Sequence, residues 1–71
     1  MNVYIKCSLG RDRTIRNTTV IPKVGDFVGI EAINGLSETC VKVQSILFYP
    51  TDELLKRLYI HEQVDVIVFC E

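Results

Sequence analysis

Hydrophobic and polar positions alternate along this chain almost from its first residue. Val3, Ile5, Cys7 and Leu9 fall on one side and Tyr4, Lys6 and Ser8 on the other, the period-two pattern of a half-buried strand. Gly10-Arg11-Asp12-Arg13 interrupts the pattern as a polar turn. Thr14 to Ile21 is rich in β-branched side chains and predicts a second extended segment. Pro22 has no backbone donor and ends regular pairing. Val24-Gly25-Asp26 predicts a turn into a third strand over 26–33, with Val28, Ile30 and Ala32 on one face and Phe27, Gly29 and Glu31 on the other. Asn34-Gly35 marks a hairpin. A two-residue loop there sets Glu31 opposite Glu38, an unfavourable like-charge pair. A four-residue loop, Asn34 to Ser37, instead aligns Val28 with Val43, Ile30 with Val41 and Ala32 with Thr39, and is the expected register.

Residues 38–49 predict a long strand with Val41, Val43, Leu47 and Tyr49 inward. Beyond Ser45 the other face turns apolar too, through Ile46 and Phe48. Pro50-Thr51-Asp52-Glu53 has the chemistry of a helix start: Thr51 to cap, acids for the first turn. Leu54, Leu55 and Leu58 follow at helical spacing, and Lys56-Arg57 suits a helix end, so a helix of about two turns is expected. Residues 63–70 close the chain as a strand, with Val64, Val66, Val68 and Cys70 on one face and Ile67 and Phe69 on the other. A strand apolar on both faces is central or covered. The expected fold is mostly β: a small antiparallel barrel or strongly curved sheet of about five strands, with one short helix between the last two.

Composition narrows the function. Seventy-one residues make a single domain, 1–71. Such a chain buries only about 60% of its unfolded surface, so a large preformed catalytic cleft is not expected. Yet 48% of the residues are hydrophobic and the mean hydropathy is +0.22, high for so small a soluble domain. Either the apolar residues sit on strands buried on both faces, or some cover a subunit interface, which points to a homo-oligomer. No apolar run approaches the roughly 20 residues of a membrane-spanning helix, and the first residues lack the pattern of a signal peptide. Cys7, Cys40 and Cys70 are odd in number and widely spaced, which suits core thiols in a reducing compartment. A cytoplasmic location is the expectation.

The segment Ile21-Pro22-Lys23-Val24-Gly25-Asp26-Phe27-Val28 resembles the [IV]-P-x-[IV]-G-D-x-[IV] pattern of small uncharacterised β-domains from bacterial and phage genomes. It is also similar to the way strands begin in SH3-like barrels. The resemblance covers residues 20–49 and implies a small β-barrel fold and a phage-type accessory role, such as inhibiting or sequestering another protein. Turn chemistry accounts for the same residues: Pro stops pairing, Gly permits a tight bend and Asp bonds local backbone. The segment from Thr51 to His61 and the three cysteines depart from the pattern.

Arg11, Arg13 and Arg16 cluster on and after the first turn, with Lys6 and Tyr4 on the adjoining exposed face. Arginines in such a cluster suit a phosphate or other anion, and an aromatic among cations suits single-stranded nucleic acid. Residues 1–30 carry five cations and two acids, residues 31–71 three cations and seven acids. The net charge of -1 and pI of 5.7 favour a protein or small anionic ligand over nucleic acid. The three cysteines with His61 could form a zinc site only without the tight cysteine pair such sites use, so no metal or other cofactor is expected. His61 lacks any local nucleophile or orienting partner, so no catalytic residues are expected. Leu54, Leu55, Leu58, Tyr59 and Ile60 exceed what one stripe of a short helix hides. Of these, Leu54, Leu55, Leu58 and Tyr59, together with Phe69, are the expected interaction surface. The expected function is a non-enzymatic binding module, oligomeric, with a small nucleic-acid-binding β-barrel as the alternative.

Overall fold

A computed structural model describes residues 1–8, 10–31 and 38–71. Five strands and one helix follow in chain order: β1 Val3–Cys7, β2 Arg13–Ile15, β3 Phe27–Glu31, β4 Glu38–Phe48, α1 Asp52–Arg57 and β5 Val66–Cys70. They form one sheet in the order β2-β1-β5-β4-β3. All neighbours are antiparallel except β1 and β5. The parallel pair joins the two ends of the chain at the centre of the sheet. Five strands laid flat put the edges about 19 Å apart. Here Arg13 Nη1 on one edge strand donates to the Gly29 carbonyl on the other, at 3.2 Å. The sheet is therefore strongly curled, an open half-barrel.

Each face of this sheet carries its own core. The concave face gathers Val3, Ile5 and Cys7 from β1, Val66, Val68 and Cys70 from β5, and Ile30, Val41 and Val43 from the β3–β4 pair. The outer face packs Ile67 against Leu55, Ile60 and Val64, with Tyr4, Leu58 and Phe69 at its border. In β5 the three residues Val66, Ile67 and Val68 are wholly buried. Each such side chain contributes roughly 1.5–3 kcal/mol by leaving water. Central placement and a helical cover both apply to this strand.

The helix ends are local chemistry. Thr51 is extended and its side chain accepts from the Leu54 N–H at 3.2 Å. At the other end the Tyr59 N–H reaches the Lys56 carbonyl and the Ile60 N–H reaches the Leu55 carbonyl. This crossed pair is a Schellman stop, with Ile60 and Leu55 making its hydrophobic contact. The position that must turn left-handed is Tyr59, at φ 57°, where glycine is usual. The turn before β3 also follows its sequence. The Asp26 N–H bonds the Lys23 carbonyl, Gly25 takes φ 93°, and the Asp26 carboxylate accepts from the Lys23 N–H. Glycine with positive φ at that position makes it a type II turn.

Four expectations need correction. β3 and β4 pair as Val28 with Val41 and Ile30 with Thr39, with Glu31 opposite Glu38, two residues from the expected register. A shift of two keeps every side chain on its own face, so burial does not distinguish the registers. A like-charge pair costs at most about 1 kcal/mol. The observed register is instead continued by the β3 turn, since the Gly25 N–H reaches the Val43 carbonyl and the Val43 N–H reaches that of Asp26. The hairpin connection and Ala32 lie outside the described residues, as does Leu9.

Second, β4 is bulged between Val43 and Ser45. The extra residue reverses the alternation, so Ile46 packs on the concave core while Leu47 and Tyr49 leave it; Tyr49 is 70% exposed. Third, the segment from Thr14 to Ile21 pairs only through Ile15. Beyond it the chain is held by single bonds, with Met1 and Thr18 exchanging N–H and carbonyl contacts. Fourth, Val64 lies before β5 begins and joins the helix-side core.

Candidate functional site

The β1–β2 hairpin brings the expected anion-binding residues into one region, but ties most of them to the protein itself. Tyr4 and Lys6 point outward from β1, and the Tyr4 hydroxyl and the Lys6 ammonium both donate to Asp12 Oδ2, at 2.7 and 3.0 Å. The Cys7 N–H donates to the other Asp12 oxygen at 3.2 Å. Burial pushes the Asp12 carboxyl up, but the bonds from Tyr4, Lys6 and Cys7 outweigh it and hold the group below its ordinary range. Burial and the bond to Asp12 push the Tyr4 hydroxyl far above a normal phenol, so it stays protonated as a donor.

Glu62, from the segment after the helix, accepts from the Thr14 hydroxyl and from Arg16 Nη2, the latter at 2.6 Å. The Thr14 bond and the Arg16 charge hold it below its ordinary range against some desolvation. This latch fastens β2 to the segment that follows the helix. Arg13 is used on the opposite face, across the curl to Gly29. Of the four expected cations, Arg11 alone is exposed without an ion pair or side-chain bond to the described residues. The hairpin thus assembles a self-neutralising cluster in which three of the four expected cations hold the fold. The partners Asp12 and Glu62 were not singled out in the sequence, because neither lies at a spacing that marks a pair.

The helix end is likewise mostly absorbed. Leu55 is 7% exposed. Leu54, Leu58 and Phe69 are half-buried, Leu58 and Phe69 against the Ile67 core. Tyr59 is 81% exposed, an outcome of its place in the helix stop. So Leu55 and Leu58 cover the outer face of the sheet, and Tyr59 is the one expected interaction residue that is fully exposed.

Elsewhere the structure leaves apolar surface open. Where the half-barrel fails to close, a groove of about 480 Å³ is lined by Ile15, Val20, Ile21, Pro22, Phe27 and Val28, with Thr18 and Asp26. Ile15, Ile21 and Val28 are the outer members of the concave core. Val20 is 76% and Phe27 70% exposed. The signal for this mouth was present as the β-branched run Thr18 to Ile21 and as Phe27. Its β-branched side chains alone predict that run as a strand, and a paired strand would leave no mouth there.

Cys7 and Cys70 face each other across the parallel pair β1–β5, whereas Cys40 is exposed on β4. His61 is exposed. Among the described residues, no three of His, Cys, Asp and Glu stand close enough to share a metal ion. No described helix is long and apolar enough to cross a membrane. Compared with family models, curated proteins and solved structures, the chain finds no match.

Proposed function

We propose that this chain is a non-enzymatic binding module that works as a homo-oligomer, with the open mouth of the half-barrel as the contact between two copies. The observation that carries the reading is the exposure of Val20 and Phe27, which line a groove bordered by the outer members of the concave core. A second copy is the occupant that composition favours. A chain with 48% hydrophobic residues and a marginal core gains by covering its own open edge. Twofold pairing of one surface with itself is the commonest way to do so. A standard contact needs about 800 Å² from each partner, a modest part of the 4910 Å² surface of one chain.

The helix end, first expected as the interface, becomes a cover for the sheet in this reading. The anion-binding role of the hairpin contracts to Arg11, since Lys6, Arg13 and Arg16 already hold the fold. An accessory role, inhibiting or sequestering another protein or a small anionic ligand, would then fall to the assembled dimer. Sedimentation velocity tests the reading. The wild type should run as a dimer, and Phe27→Asp should run as a folded monomer. A wild type that stays monomeric at every concentration would overturn it, as would a dimer that ignores Phe27→Asp and falls apart with Tyr59→Asp.

A further inference from the structure

Cys7 and Cys70 are almost fully buried. They are also direct partners at the end of the parallel ladder, Cys7 opposite Cys70. Neighbouring strands lie about 4.8 Å apart, and disulfides span Cα separations of about 4.4–6.8 Å. Both side chains belong to the concave core, so the two thiols share a face as well as a register. They sense each other electrically: burial raises the Cys70 thiol above its ordinary range, and the charge of Cys7 adds to that rise. Cys40, on β4, is exposed and opposite Gly29. The chain thus holds a matched buried pair and one outlying thiol.

We propose that Cys7 and Cys70 are an oxidation site, a dithiol that peroxide closes into an intramolecular disulfide joining the first strand to the last. In the first step one sulfur attacks a peroxide oxygen. An S–O bond forms, the O–O bond breaks, and the departing hydroxide takes up the thiol proton and leaves as water, giving a sulfenic acid. In the second step the other thiol attacks that sulfur. The S–S bond forms, and the hydroxyl departs as a second water with the second thiol proton. The two sulfurs give up two electrons in all, and the peroxide takes them.

Burial sets the rate. The raised Cys70 thiol offers little thiolate near neutrality, and the end of β5 is held by the Lys42–Glu71 backbone pair, at 3.1 and 3.2 Å. Closure is therefore slow, faster at higher pH, and limited by opening of this end of the sheet. Once formed, the bond ties the ends of the chain together, the long-loop geometry in which a crosslink restricts the unfolded state most.

The test uses the full chain with Cys40→Ser, which removes the exposed thiol and leaves the buried pair intact. Folded protein is treated with hydrogen peroxide, and its intact mass, peptide map and melting are recorded with and without a reducing agent. The expected result is loss of two hydrogens, a peptide linking Cys7 to Cys70, and a melting temperature raised by roughly 10 °C or more, all reversed by reductant. Persistence of both thiols would overturn the proposal, as would added oxygen atoms without a crosslink, or crosslinks only between chains.

Discussion

The two faces of this sheet are closed by different means, a helix over one and the curl of the sheet over the other. On the outer face the helix and the stop that follows it bring Leu55 and Ile60 against Ile67, and Ile67 has no exposure left. On the concave face the sheet must cover itself by curling. The curl seals the centre, where Val3, Ile5, Val66 and Val68 are wholly buried, but stops at Ile15, Ile21 and Val28. Edge strands are a liability when left bare, and here one Arg13–Gly29 bond spans the gap. A short helix is an efficient lid for one sheet face. Curling five strands leaves a mouth, and that mouth is where the proposed second copy would sit.

Core truncation gives the largest effect. Ile67→Ala should cost about 4 kcal/mol in denaturant unfolding of the monomer and Leu55→Ala about 3 kcal/mol, since both leave cavities under a lid. Val28→Ala at the mouth should cost about 1 kcal/mol. Equal costs for Ile67 and Val28 would break the contrast between a sealed and an open face.

The lid itself can be loosened or tightened. Thr51→Ala removes the N-cap and should cost about 1 kcal/mol. Tyr59→Gly relieves a tyrosine held at positive φ and should add about 1 kcal/mol. Thermal melts of the two variants should therefore move in opposite directions. If Tyr59→Gly destabilised the chain, Tyr59 would be contributing contacts and its exposure would need another cause.

The smallest effect concerns the hairpin cluster. The folded Asp12 carboxyl sits below its ordinary value of 3.8. Its contribution is therefore fully present above that value and is lost as the pH falls through the folded one. The urea midpoint of the wild type should drop between about pH 6 and about pH 3 by more than that of Asp12→Asn. Equal drops would place the acid sensitivity elsewhere.

Strand alternation, the β3 turn and the start of the helix were legible because each rests on contacts a few residues apart. Thr51 finds its partner three positions on, and so does Lys23. The bulge after Val43 was not legible. It adds one residue relative to β5, a strand more than twenty positions away, and nothing between Val43 and Ser45 marks it. The register of β3 on β4 was ambiguous for the same reason, since two pairings two residues apart bury the same side chains. The helix stop was hidden because tyrosine occupies the place of glycine. At the hairpin the cluster of cations was visible, but not that Asp12 and Glu62 would neutralise it. Pairing across 46 residues, as between Arg16 and Glu62, leaves no local trace. The mouth was missed because the stretch from Arg16 to Asp26 runs between the two sheet edges without joining either as a strand.

The most direct test of a mouth covered by a second copy is a dilution series followed by backbone amide resonances. The account predicts concentration-dependent shifts centred on Ile15, Val20, Phe27 and Val28, with Leu55, Leu58 and Tyr59 unmoved. Shifts confined to Leu58 and Tyr59, or none at any concentration, would contradict it.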